Sequence, residues 1–588
     1  MRYFIISMLL LAGITSKSQG FLKADGPAIK NGRGQEIILR GMGLGGWMLQ
    51  EPYMMQLSGF AATQHDIRRN ITDLVGEKGA QKFYDAWLAN HCTKADVDSM
   101  AAWGFNSIRL PMHYNLYTLP IEKEPVAGKQ TWIEKGFRMT DSLLSWCKAN
   151  KIYLILDLHA APGGQGNDIA ISDRDTSTPH LWKSQQNQQK TIALWEKLAA
   201  RYANEEWIGA YDLINEPNYG FQDAADKNGC AETENAPLRK LYVDLTTAIR
   251  KVDKKHIIII EGNCWGNNYA GIFPLWDNNM VLSFHKYWNN TSDGSIQKFL
   301  DYRTQYNVPI WLGESGENSN SWMTETLAMV ERNKIGWALW PLKKSGPNNP
   351  LQVKINPGYR KILNYWKDQG PKPTPEEALA GLMEYASATK ISNNIYNKNV
   401  TDALIRQTGT WDVIPYKDFS VKNDAVLFAS DYDLGRSGLA YHDKDSATYW
   451  VEDTRHQEWN SGHQYRNEGV DIEACTDSVT NGYNVGWIQD GEWMQYTIYS
   501  PQNGTFDVNV RSASKLADGR LQLLVNDLAA GENIVLPNTG EDQRWATSTI
   551  KNISLNKGWN RLRVLAVKGG FNLNYLQFRQ TNGTAAVN

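Results

Sequence analysis

The chain has 588 residues, too many for one ordinary domain, so two or three are expected. Its 61 basic residues against 63 acidic ones leave a net charge of -2, which excludes an electrostatic case for nucleic acid or for an anionic membrane surface. The five cysteines, Cys92, Cys147, Cys230, Cys264 and Cys475, are too few and too scattered for a disulfide framework or a metal-ligand spacing. One bridge, for example Cys230 with Cys264, is compatible with the sequence but does not follow from it.

In chain order, residues 1–18 read as a secretory signal. Arg2 supplies the positive start, Tyr3 to Ile14 the apolar stretch, and Ser16-Lys17-Ser18 a small-x-small cleavage site. That run is too short to span a bilayer as a mature helix, and no later run reaches the needed length. A secreted protein, extracellular or periplasmic, is therefore expected, with no membrane span. A domain at 19–370 follows, in which short apolar strands alternate with amphipathic helical stretches. Strands start at Ile37, Phe105, Ile152, Ile208, His256, Met280, Pro309 and Ile335. Eight strands separated by helices predict an α/β fold, a (β/α)8 TIM barrel. Met139 to Asn150 is a typical intervening helix, with Leu143, Leu144 and Cys147 on one face.

The proline-rich stretch Gly370-Pro371-Lys372-Pro373-Thr374-Pro375 marks a boundary. Residues 371–420 read as a helical appendix or linker, helical from Glu376 to Gln407 and packed on the barrel. At 421–580 short alternating strands appear, such as Glu492 to Ile498 and Thr505 to Val510. Regular turn residues separate them, which predicts an all-β sandwich of jelly-roll type.

Two segments carry the chemistry. Leu213-Ile214-Asn215-Glu216-Pro217 and Ile310-Trp311-Leu312-Gly313-Glu314-Ser315 are apolar runs that end in a glutamate and a turn residue. A buried parallel strand with a carboxylate at its C-terminal mouth reads this way. Two carboxylates facing one cleft are what retaining glycoside hydrolysis needs. Chemistry in such barrels sits at the C-terminal strand ends. The polar or ring-bearing residues there are Arg109, His159, Asn215, Glu216, His285, Tyr287, Glu314 and Trp340. The 23 Trp and 27 Tyr add flat faces suited to sugar rings, besides their ordinary use in cores. No His/Asp/Glu cluster has ligand spacing, and the chemistry requires neither a metal nor another cofactor.

Over about residues 21 to 370 the chain resembles glycoside hydrolase family 5. The resemblance is carried by Leu44-Gly45-Gly46-Trp47, Gly104 to Pro111, Asp157 to Gly163, Asn215-Glu216-Pro217, Phe284-His285-Lys286-Tyr287, Leu312-Gly313-Glu314 and Trp337 to Pro341. It implies Glu216 as acid/base and Glu314 as nucleophile, with Arg109 the cation that keeps Glu314 ionised. Tyr287 would donate to Glu314 and His285 would orient Glu216. Asn215 would bond the sugar 2-hydroxyl, His159 would bind the same sugar, and Trp340 would form its floor. Glu317 competes locally with Glu314, but its position beyond the strand end favours a loop role. Glu51 could face the cleft or serve the barrel mouth.

Residues 421 to about 580 resemble family 6 carbohydrate-binding modules, through Asp431-Tyr432-Asp433, Gly438 to Asp443, Tyr465 to Glu473, Tyr483 to Trp487 and Gly570 to Tyr575. The resemblance implies a sugar cleft walled by Tyr483 and Trp545, with Glu468 and Asn572 as polar contacts. Asn574 is the near alternative to Asn572, and Trp487 could serve a second cleft or be buried. It also implies a structural calcium. Ser430 stands where the family usually places a glutamate, which weakens such a site.

These readings converge on a secreted retaining β-glucan hydrolase, monomeric, whose appended module raises the effective substrate concentration by tethering. Endo-β-1,4-glucanase is narrowly preferred. Exo-β-1,3-glucanase is the alternative, on Leu44 to Trp47 and Asp157 to Gly164. Loops and subsites, not the fold, decide the linkage. A non-catalytic glycan-binding protein is a further alternative, against which the intact glutamates and their partners speak, and a transglycosylase is a third, since a sugar in place of water can resolve the covalent intermediate.

Overall fold

The computed structural model describes residues 20–444, 460–516 and 518–581. The signal read over 1–18 lies outside the described residues. Among them, no helix is long and apolar enough to cross a membrane.

Eight parallel strands close into a barrel: β1 (Arg40–Gly43), β2 (Ser107–His113), β3 (Tyr153–Ala160), β4 (Ile208–Asp212), β5 (Ile257–Glu261), β6 (Met280–Lys286), β7 (Ile310–Ser315) and β8 (Gly336–Leu339). Each begins within three residues of the start read from the sequence. Apart from Arg40 at the start of β1, the strands are buried throughout, as apolar runs covered by helices on the outside must be. The helix Ala236–Val252 is typical of that cover. It turns Leu238, Leu241, Tyr242, Leu245 and Ile249 to the barrel. Each such fully buried side chain contributes about 1.5–3 kcal/mol.

Alternation along the strands sorts the barrel interior by height. At the bottom, Tyr153, Ile155, Ile257, Ile259 and Val281 pack with Leu22, Ile29 and Leu39 of the N-terminal segment. Two residues further along, the same inward phase reaches Asp157, Glu261 and Ser283, and then His159 and His285. The apolar plug thus gives way to charge at the C-terminal mouth.

The appendix packs as two helices rather than one. Pro375–Ala388 is started by a capping box between Thr374 and Glu377. It buries Ala378, Leu382 and Tyr385 against the long helix Gln64–His91 and its neighbour Pro357–Trp366. A Cβ on Gly381 would lie 2.6 Å from the Gly358 carbonyl carbon, so glycine permits that close crossing. Ile395–Tyr396 then pairs with Leu351–Gln352, and Lys398–Gly409 packs on Asn320–Arg332.

The C-terminal region is a β-sandwich. One sheet runs through Ile472–Ala474, Tyr483–Val485, Asn572–Gln580, Gly504–Ala513 and Ala546–Leu555. The other runs through Tyr441–His442, Trp493–Ser500, Gly558–Lys568, Arg520–Val525 and Leu528–Val535. Inward residues of both, such as Val508, Val510, Leu523, Leu562 and Phe578, form its core. The sandwich does not hang from the barrel by a tether. Asn467 and Glu468 bond Asn318 and Asn320 of the barrel, and all four are buried.

Candidate active site

The two glutamates read from the sequence meet at the barrel mouth. An oxygen of Glu216, an oxygen of Glu314 and Nδ1 of His285 all lie within 4.8 Å of one another. Carboxyl groups about 5–5.5 Å apart suit direct attack, whereas about 6.5–9.5 Å leaves room for an inverting water. An approach of the nearest oxygens to within 4.8 Å is closer to the first arrangement than to the second.

Local backbone devices aim both carboxylates. In β7 a bulge shifts the register: Phe284 faces Leu312, but His285 faces Glu314. Simple alternation from Trp311 would turn Gly313 inward and Glu314 out. The bulge brings Glu314 in as well, and Gly313 must be glycine because a Cβ there would collide with Ser283 Oγ. Glu216 sits in the left-handed region at φ 42, a conformation costing about 1–2 kcal/mol in a non-glycine residue. Its N–H donates to Glu261 Oε2 (2.7 Å) and its carbonyl accepts from Asn218 Nδ2 (2.9 Å), which holds it there.

Arg109 is the hub beneath. Its guanidinium donates to Glu314, to Asp212 Oδ2 (2.8 and 3.0 Å), to Asn215 Oδ1 (2.8 Å) and to Glu261 Oε1 (3.0 Å), and it lies 3.3 Å from Asp157. Tyr287 OH donates to Glu314 Oε2 (2.8 Å), and His285 Nδ1 bonds Glu216 Oε1 (2.6 Å). Burial would raise Glu314, but the charges of His285 and Arg109 outweigh it and hold the carboxyl below the ordinary value. Burial, reinforced by Glu314 and Glu261 and opposed by His285, pushes Glu216 up to about 7. Burial opposes the charge on His285, yet Glu261, Glu314 and Glu216 hold its pKa well above the ordinary value. Burial likewise drives Asp157 and Asp212 well up against the pull of Arg109. These directions divide the cluster: Glu314 and Glu261 are held toward the ionised form, while Glu216, Asp157 and Asp212 are held toward the protonated one.

His159 differs from its expected role. Both ring nitrogens already have protein partners, Asp157 Oδ2 (2.8 Å) at Nδ1 and Asn215 Nδ2 (3.2 Å) at Nε2. It stacks on Trp340 with centroids 4.9 Å apart, and burial pushes it down to about 3, so it is neutral. It orients Asn215 and backs the Trp340 indole instead of offering a free nitrogen to a sugar. Asn215 keeps one amide hydrogen unused. Glu317 accepts from Tyr53 OH (2.9 Å) and pairs with Lys344, while Tyr53 OH accepts from Trp340 Nε1 (2.9 Å). That is a loop-supporting place. Glu51 lines the cleft, and burial with Glu314 and Glu317 nearby pushes it well up.

Sequence reasoning missed Asp157, Asp212 and Glu261. Glu261 ends the apolar run Ile257 to Ile260 in the way Glu216 and Glu314 end theirs, so the same signal would have found it. The cleft holds about 820 Å³. Its walls include Trp265, Trp288 and the Cys230–Cys264 disulfide, the one pairing named from the sequence.

Residues 65–346 match the model described as Cellulase (glycosyl hydrolase family 5). Over these residues the barrel is similar to family 5 glycoside hydrolases. The chain is similar to a β-xylosidase of Phanerodontia chrysosporium, 27% identical over 58% of this chain and 75% of that protein. It is similar to endoglucanase C of Acetivibrio thermocellus, 29% identical over 33% of this chain and 50% of that one. It is also similar to a glucan 1,3-β-glucosidase of Candida oleophila, 26% identical over 45% of this chain and 60% of that one. The chain thus spans half to three quarters of these relatives. Residues 466–578 match the carbohydrate binding module family 35 model, which corrects the family 6 assignment. Both are β-sandwich sugar binders, and the short motifs read here did not separate them.

In this module the expected contacts divide. Glu468 is overturned as a sugar contact. It is 1% exposed, bonded to Arg466 Nη2 (2.7 Å), Tyr432 OH (2.7 Å) and Asn320 Nδ2 (3.3 Å) in the seam with the barrel. Asn574 is fully buried on Asp477 and the Val479 carbonyl. Asn572 donates to Glu473 Oε1 (2.7 Å), which also accepts from Gln543, two residues before the half-buried Trp545. Tyr483 stacks on Tyr465 with centroids 4.6 Å apart, and Trp487 is half exposed. The segment expected to hold calcium does not fit a cation. Ser430 Oγ accepts from Asn481, and Asp431 is paired with the Lys417 ammonium at 3.0 Å and bonded by Tyr465.

Proposed function

We propose that the chain is a retaining β-glucan hydrolase in which Glu314 attacks the anomeric carbon and Glu216 protonates the departing oxygen. The observation that carries this is the divergence of the two carboxyls: one held ionised, the other raised to about 7, within 4.8 Å. Forming the glycosyl ester removes the Glu314 charge that helps raise Glu216. Glu216, having passed its proton to the departing oxygen, then stays ionised more readily and takes a proton from the attacking water, the role change that double displacement requires. Tyr287 and Arg109 hold the leaving carboxylate in the second step. The Asn215 amide faces the 2-hydroxyl, and Trp340 lies under the ring.

The substrate reading is β-glucan, with endo-β-1,4 cleavage first. Exo-β-1,3 cleavage is the second reading, favoured by Glu51, an acidic group lining the cleft and suited to the hydroxyls of a terminal sugar. The similarity to both endoglucanase and glucan 1,3-β-glucosidase relatives supports β-glucan and leaves both linkages in play. Action outside the cytoplasm fits the apolar N-terminus and the Cys230–Cys264 bridge at the cleft wall. Product chromatography on carboxymethyl cellulose, laminarin and mixed-linkage glucan tests the proposal. Oligosaccharides from the cellulose derivative support the endo-β-1,4 reading. Glucose from laminarin alone replaces it with exo-β-1,3. No product on any of the three overturns β-glucan hydrolysis.

A further inference from the structure

We propose that Asn467, on the β-sandwich, is a positioning residue of the barrel's active site. It would act through the loop 316–320 on the side chains that serve Glu314. The inference rests on the reading of Glu314 as nucleophile.

Only five residues separate Glu314 from the seam at Asn320. The intervening loop turns through positive φ at two positions, 123 at Gly316, where glycine allows it, and 52 at Glu317, where it is strained. A non-glycine residue in that region costs about 1–2 kcal/mol and persists where surrounding contacts hold it. The contacts come from both sides. On the barrel side, Asn318 Nδ2 donates to the Tyr287 carbonyl (3.0 Å), and Tyr287 OH donates to Glu314 (2.8 Å). Glu317 holds Tyr53, which holds the Trp340 indole.

On the sandwich side the loop meets Asn467, 1% exposed. Asn467 Nδ2 donates to the Asn318 carbonyl (2.8 Å) and to Asn320 Oδ1 (3.0 Å), and the Asn467 carbonyl accepts from the Asn320 N–H (2.8 Å). Asn467 is itself fixed by its neighbours. Glu468 bonds Asn320, Arg466 and Tyr432, and Asn460 Nδ2 donates to the Arg466 carbonyl. Polar groups of the two domains therefore converge on one catalytic loop. A seam that served only adhesion could be closed by apolar contacts, which carry no directional demand. The consequence is that barrel chemistry depends on the sandwich even for substrates too small to touch its sugar-binding face.

The test uses the full chain with Asn467→Asp, which sets an acceptor oxygen against two acceptors. Asn467→Ala, which only deletes the donor, is the second variant should the first fail to fold. Turnover is read on an aryl β-glucoside and an aryl β-cellobioside, and hydrogen–deuterium exchange is read on peptides covering 314–320 and 153–160. The expected result is about a tenfold fall in kcat with KM within twofold, together with faster exchange at 314–320 and unchanged exchange at 153–160. Wild-type kcat and wild-type loop exchange in a folded variant would overturn the proposal. Equal loosening of both peptides would also overturn it, since that marks a general loss of stability. Should the wild-type protein turn over neither glycoside while the loop peptide alone loosens, the hydrolase reading fails and the clamp on the loop stands.

Discussion

Two buried arginines organise this protein in opposite electrostatic surroundings. Arg109 faces four carboxyl groups, Asp157, Asp212, Glu261 and Glu314. Arg466 faces one, Glu468, and lies over the Tyr432 and Tyr416 rings at 3.9 and 4.4 Å. Surplus acid in a low-dielectric site cannot all ionise, so protons are distributed by fine differences in environment. That is how a raised Glu216 and a lowered Glu314 arise side by side. A one-to-one pair lacks that freedom and supplies rigidity. Excess acid is thus found where chemistry is read, and a one-to-one pair where two domains are joined.

Breaking the unbalanced cluster should cost most. Glu314→Ala is expected to lower kcat by on the order of 10⁴-fold while the chain still folds and binds insoluble glucan. Kinetics with circular dichroism check both, and wild-type turnover would remove Glu314 from the nucleophile role. Glu216→Gln should lose about 10²- to 10⁴-fold on glycosides with poor leaving groups and far less on activated aryl glycosides. A uniform loss across leaving groups would argue against its acid role.

The balanced pair is broken by Glu468→Gln, which leaves the Arg466 charge buried without its counterion. Chemical denaturation should then show a loss of about 3–5 kcal/mol, and unchanged stability would sink this account of the seam. The pH profile sharpens the comparison. Glu216 must carry a proton, so kcat/KM should fall above about pH 7, tenfold per unit. Glu314 must be ionised and is held down, so the acid limb should lie below the ordinary carboxylate value. An alkaline limb well above 7 would contradict the assignment. The smallest effect is expected of Tyr483→Ala in a Glu314→Ala background: about tenfold weaker binding to insoluble glucan. Unchanged binding would move the sugar site elsewhere on the sandwich, with Trp487 next.

By itself the sequence determined the barrel, the sandwich and the paired glutamates. Those features are written in local periodicity: apolar strand runs closed by Glu216-Pro217 and Glu314-Ser315, amphipathic helices between them, and alternating short strands after Val421. Glu261 obeyed the same rule and was legible, though unread. Tertiary structure alone decided what no local pattern encodes. The inward turn of Glu314 depends on a register shift against β6, which only strand pairing reveals. The sharing of one guanidinium among Asp157, Asp212, Glu261 and Glu314 needs strands that are up to 205 residues apart in the chain. Glu468 looked like a sugar contact because a family motif carries no information about burial. Its place against Asn320 was fixed by the docking of the sandwich onto the barrel, 148 residues away in sequence.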